Sequence, residues 1–82
     1  MDLGRIIDDG RRKLGLSVPD TWMRYFGLGG NAKPTKIARY LAGEDTLPDV
    51  EHDKLAHAVN EEFSEAGANH PMPYANGGPS EG

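Results

Sequence analysis

Lys33, Thr35, Lys36 and Arg39 fall within seven consecutive residues, at the start of a segment that runs from Pro34 to Gly43 and is preceded by Lys33. A lysine or arginine at the exposed start of a helix can donate to guanine or to a phosphate oxygen. Threonine can offer its hydroxyl or its methyl to a base edge. Arg11, Arg12 and Lys13 form a second cationic group, with Arg24 between the two. On most helices such side chains are a solvated face, and Arg11-Arg12-Lys13 also suits the negative end of a helix dipole. What marks out Lys36 and Arg39 is their place in the first turns of a short helix, where a groove-reading element presents its side chains.

The average charge works against this reading, and its distribution works for it. The whole chain carries a net charge of −4. Residues 1–43 hold eight Lys/Arg against four acids, a net of +4, whereas residues 44–82 hold nine acids and only Lys54, a net of −8. A phosphate-facing surface requires local positive potential, not a basic protein.

Other chemistries find little support. There is no cysteine, hence no disulfide framework or thiolate zinc site, and this fits a reducing compartment. His52 and His57 are five residues apart, on different sides of a helix, and His70 is remote, so no metal set is expected. Gly27-Leu28-Gly29-Gly30 follows a helix instead of a strand and lacks the lysine-serine ending of a phosphate-cradling loop; it reads as a turn. Neither catalytic residues nor a cofactor are expected. No apolar run approaches the ~18 residues of a membrane span, and Met1-Asp2 begins no hydrophobic leader. The expectation is a cytoplasmic, nucleoid-associated protein.

Four helices must position the cations. The first spans about 3–14, burying Leu3, Ile6, Ile7, Gly10 and Leu14 and exposing Arg5, Asp8, Asp9, Arg12 and Lys13, with Asp2 as N-cap and Gly15 as stop. The second opens at Ser17 or Val18, with Pro19 and Asp20 in its first turn, and buries Trp22, Met23 and Phe26 before Gly27; Trp22, Tyr25 and Phe26, whose rings could stack on bases, read as core at this spacing. The third, at about 34–42, turns Ile37, Tyr40 and Leu41 inward. The fourth is announced by Pro48 and Asp49 and buries Leu55, Val59, Phe63 and Ala66, leaving Glu51, Asp53, Lys54, Glu61, Glu62 and Glu65 outside. Beyond Gly67 prolines and glycines replace periodicity, so 1–66 is expected to be the folded domain and 67–82 a disordered C-terminal tail.

Within the second and third helices, Phe26 fits a buried large residue, Gly27 a small residue where the helices approach, Asn31 a turn residue tolerant of left-handed backbone, and Ile37 the buried aliphatic of the next helix. With Leu3-Gly4-Arg5-Ile6, Lys13-Leu14-Gly15-Leu16-Ser17, Thr35-Lys36-Ile37-Ala38-Arg39-Tyr40-Leu41-Ala42-Gly43, Pro48 and Lys54-Leu55-Ala56-His57-Ala58-Val59, the chain over about residues 3–63 resembles the lambda-repressor-like, Cro/C1-type helix-turn-helix domains. The resemblance implies an all-α, compact bundle of four to five helices, a third helix reading the major groove, and a homodimer on a two-fold site of double-stranded DNA. The 20 residues from Ser17 to Ile37 exceed the family's usual spacing by about one helical turn, so the second helix or the turn must be enlarged. Val18 also stands where the family commonly has a glutamine. Two functions follow as expectations: a small transcriptional regulator of repressor, Cro or excision-control type, with Lys33, Thr35, Lys36, Arg39, Arg11, Arg12, Lys13 and Arg24 toward DNA; or an interaction module, an antirepressor or inhibitor, whose acidic fourth helix and tail meet a basic protein partner.

Overall fold

A computed structural model of the chain describes residues 2–68 and 71–75. The architecture is all-α, with four helices and no strand among the described residues: α1 (Leu3–Leu14), α2 (Val18–Gly27), α3 (Pro34–Leu41) and α4 (Asp49–Glu65). Local chemistry sets the ends. The Asp2 carboxylate caps α1 by accepting from the Gly4 and Arg5 amides, and Gly15 stops it with a left-handed φ of 75° that a side chain would oppose. Ser17 Oγ accepts from the Asp20 amide to start α2, and Gly43 reverses the chain after α3 at φ 80°. Between Ser17 and Ile37 lie α2, ten residues long, and a connection at residues 28–33.

Ile7, Tyr25, Ile37, Leu41, Leu55, Ala56 and Val59 form a core exposed by no more than 1%. The buried side of α2 is not the one its hydrophobicity suggests. Met23 and Phe26 are 59% and 55% exposed and Trp22 is half-buried, whereas Tyr25 and Thr21 are fully enclosed. The reason is that both polar tips find partners inside. The Tyr25 hydroxyl donates to Glu51 Oε1 at 2.5 Å and accepts from the Ala32 amide at 2.8 Å, and Thr21 Oγ1 donates to the Ser17 carbonyl. Glu51, expected on the solvated side of α4, is therefore the junction of α2, the α2–α3 connection and α4. It also accepts from the Asn31 amide and from Lys54 Nζ, which reaches the Gly29 carbonyl as well. Within the connection Gly29, not Asn31, takes the left-handed conformation, at φ 88°. Gly27 faces open space, so the small residue needed for close approach is Gly30, whose Cα lies against the Tyr25 ring.

These hydrogen bonds, first that from the Asn31 amide and then that from Tyr25, hold the Glu51 carboxyl down to about 2 from an ordinary 4.5. A depressed carboxyl stabilises the fold fully above its unfolded value and ceases to do so as the pH falls through the folded one. The stabilisation should therefore fade between pH 4.5 and about 2. Glu51→Gln is expected to cost roughly 2–3 kcal/mol at neutral pH and to flatten the acid limb of the stability curve. Urea midpoints at neutral pH and at pH 3 for parent and variant test this; parallel curves would remove Glu51 from its junction.

Two further departures concern burial. Asp8, expected on the exposed side of α1, is only 9% exposed and bonds the guanidinium groups of Arg11 and Arg12 at 2.8 and 2.9 Å. Ala66, expected inside, is the exposed C-cap of α4. The composition of 67–82 suggests no packing at all, yet residues 71–75 lie along α4. Met72 is 7% exposed, seated against Gly10, and its amide and carbonyl pair with the Asn60 carboxamide at 2.9 and 3.1 Å. The Ala75 amide donates to Asp53 Oδ1 at 2.6 Å. His52, 1% exposed, bridges this strap to α3, with Nε2 2.9 Å from the Pro73 carbonyl and Nδ1 2.6 Å from the Tyr40 hydroxyl. Because a carbonyl only accepts, Nε2 carries a proton, and in the neutral ring Nδ1 accepts from the Tyr40 hydroxyl. Burial, ahead of nearby Asp2, Asp49 and Asp53, pushes Tyr40 up to about 12, so its phenol remains a donor. The rest of the expected tail, residues 69–70 and 76–82, lies outside the described residues.

Candidate nucleic-acid interface

Helix α3 is fastened by one side only. Ile37, Tyr40 and Leu41 are buried, so Thr35, Ala38, Arg39 and Ala42 form an exposed outer stripe. Three of these four side chains are short, which lets the backbone of the helix approach a ligand surface closely. Lys33 is the N-cap and makes no side-chain cap, so the first amides of α3 have no side-chain acceptor. Such a terminus favours an anion. From Thr21 to Gly43 the chain contains Arg24, Lys33, Lys36 and Arg39 and no acid.

The eight cation and hydroxyl positions expected to act together fall into three places. Lys33 and Thr35 are exposed at the start of α3, beside Lys36 and Arg39. Lys36 and Arg39 share Asp45 from the loop after α3, at 3.1 and 3.5 Å, and remain 41% and 60% exposed. The Thr46 amide and then Lys36 hold the Asp45 carboxyl below its ordinary value. Arg12 and Lys13 lie at the end of α1, 68% and 69% exposed, each with an acidic partner one turn back. Arg11 beside them is turned inward, 14% exposed, and its guanidinium is committed to Asp8 and to the Leu16 carbonyl. Arg24 is drawn to α4 by Glu62 at 2.9 Å, which also raises its pKa. Lys33, Thr35, Lys36 and Arg39 are therefore the members of the set that one helix start brings together. Comparison with protein-family models, with curated proteins and with solved structures finds no match.

Next to the outer stripe lies a feature that hydrophobic periodicity conceals. Val18, Pro19, Trp22 and Met23 of α2 and Thr35 and Ala38 of α3 line an open notch between the first turns of the two helices. Reading Trp22, Met23 and Phe26 as core removes this surface from view. The signal that could have found it is the chemistry of Tyr25 and Thr21, which can be buried with their polar tips satisfied while Met23 and Phe26 cannot share the same face. No helix among the described residues is long and apolar enough to cross a membrane.

Proposed function

We propose that this chain is a small DNA-binding regulator that places the outer stripe of α3 in the major groove of duplex DNA, one copy per half-site. The observation that carries the reading is that stripe: an exposed, short-chained surface of Thr35, Ala38 and Ala42, framed by Lys33 and Arg39 in an acid-free stretch of sequence. Lys33, Lys36 and the uncapped first turn of α3 address phosphates, while Thr35 and Arg39 face base edges. Arg12 and Lys13 are secondary candidates for backbone contacts, and Arg11 and Arg24 act mainly on the fold.

Binding of the protein to random duplex DNA at two salt concentrations tests the reading without knowledge of an operator. Affinity on the order of 10–100 µM at low salt, falling steeply as salt rises, is expected. Asp45 competes with DNA for Lys36 and Arg39. Asp45→Asn should therefore tighten low-salt binding roughly 2- to 5-fold, while Arg39→Ala should weaken it by ~1–3 kcal/mol with little change in folding. The Thr46 amide can still be accepted by asparagine, so the loop keeps its turn. Equal binding by parent and both variants would take α3 out of the interface.

A second reading, a protein-interaction module, is favoured by the exposure of Met23 and Phe26, since large apolar side chains open to solvent on adjacent positions mark contact surfaces. Its acidic version has less to draw on: Glu51 is internal and Glu62 is paired with Arg24, which leaves Asp49, Glu61 and Glu65 as the exposed acids of α4. Neutralising Glu61 and Glu65 separates the two, because a DNA binder should keep or gain affinity whereas an acidic adaptor should lose its basic partner.

A further inference from the structure

We propose that the notch between the first turns of α2 and α3 reads thymine 5-methyl groups, so that the DNA preferred by this chain carries A·T pairs opposite α3. The inference rests on the proposal that α3 enters the major groove and names what it selects there. The notch presents Val18, Pro19, Trp22, Met23, Thr35 and Ala38, and no charged side chain lines it. Its wall is stiff: the Trp22 indole donates to the Ala32 carbonyl at 2.9 Å and stacks on Phe26 with ring centroids 5.0 Å apart. Met23, 59% exposed, forms the adaptable lip.

In the major groove the thymine methyl is the one apolar group that a base pair presents, and alanine, threonine methyl and larger apolar side chains are its usual contacts. The competing base signal, guanine O6 and N7, requires a free lysine or arginine. Here Lys36 and Arg39 are both drawn toward Asp45, which weakens that readout and gives the apolar contacts a larger share of the discrimination. The surroundings also favour DNA over an apolar peptide. Along the chain the lining is flanked by Asp20 after Pro19 and by Lys33 and Arg39 beside Pro34 and Ala38, a rim with more positive than negative charge, so its complement is a polyanion that carries apolar groups within it.

The test uses the full chain. Duplexes enriched from a random pool are resynthesised with deoxyuridine in place of thymidine, one position at a time, which removes only the methyl and leaves pairing and the O4 acceptor unchanged. At one or more positions affinity should fall roughly 3- to 5-fold per methyl. In Met23→Ala and in Ala38→Asn, both at exposed positions where the fold is not at stake, that fall should shrink to within about 2-fold. Salt-sensitive binding with thymidine and deoxyuridine equivalent everywhere would overturn the inference and leave the α3 reading standing. Discrimination that persists undiminished in both variants would move methyl readout away from the notch and overturn it as well. Absence of any salt-sensitive binding to DNA would remove the α3 reading and the inference together, and the notch would then belong to a protein partner.

Discussion

Ile37→Ala is expected to remove about 3 kcal/mol of stability and to shift the urea midpoint strongly downward. Ile37 is completely enclosed, at 0% exposure, in the cluster with Tyr25, Leu41, Leu55 and Val59. Alanine there forfeits the transfer energy of three carbons and leaves a cavity that short, mutually braced helices cannot collapse around. A domain of this size holds on the order of 5–10 kcal/mol in total, so the variant should be partly unfolded near physiological temperature. The loss should carry through to DNA binding, because Ile37 is what fixes which stripe of α3 faces outward. An unchanged midpoint would mean that α3 is rotated, with Thr35 and Arg39 no longer on its outer stripe.

Asn60→Leu is expected to cost about 2 kcal/mol and to release the strap at 71–75 from α4. The Asn60 carboxamide both accepts from the Met72 amide and donates to the Met72 carbonyl, at positions exposed by 1% and 7%. A leucine of similar size keeps the packing of α4 and satisfies neither group. Two backbone groups buried without partners would cost more than the strap gains from docking, so the strap leaves and returns them to water. What is lost is then bounded by the burial of Met72 over Gly10 and by the hydrogen bonds of Pro73 with His52 and of Ala75 with Asp53. Hydrogen exchange at the Met72 amide is the direct readout: slow in the parent and fast in the variant. Fast exchange in the parent would show that the strap does not hold this position.

Much of the fold was legible without coordinates, and for a definite reason. Helix limits depend on caps and breakers that act within three or four residues. Asp2, Gly15, Ser17, Pro19, Pro34, Gly43 and Pro48 place the four helices at, or within a residue of, their observed ends. The inward faces of α1, α3 and the middle of α4 followed from apolar spacing alone, because Ile7, Ile37, Leu41, Leu55 and Val59 have no polar atoms that could favour another orientation. The cationic start of α3 was likewise readable, since side-chain type and the position of Pro34 are sequence properties.

Where tertiary partners decide, periodicity failed. Along α2 the pattern treats Trp22, Met23 and Phe26 as the buried stripe and the aromatic Tyr25 as core; Tyr25 is enclosed and so is Thr21, while Met23 and Phe26 are not, because only the folded chain brings Glu51, the Ala32 amide and the Ser17 carbonyl within reach of the two hydroxyls. The same holds for Asp8 and Glu51, expected in solvent, and for His52 and Asn60, which periodicity does not place; the structure draws all four inward through specific hydrogen bonds. The segment at 71–75 has no periodicity to read, since a non-helical strap is held by hydrogen bonds from another element and not by a repeating face of its own. The sequence by itself thus determined the helices and the charge at the start of α3. Tertiary structure alone decided which face of α2 is exposed, and with it the apolar notch beside that charge, because the exposure of an amphipathic side chain depends on whether its polar tip finds a partner inside.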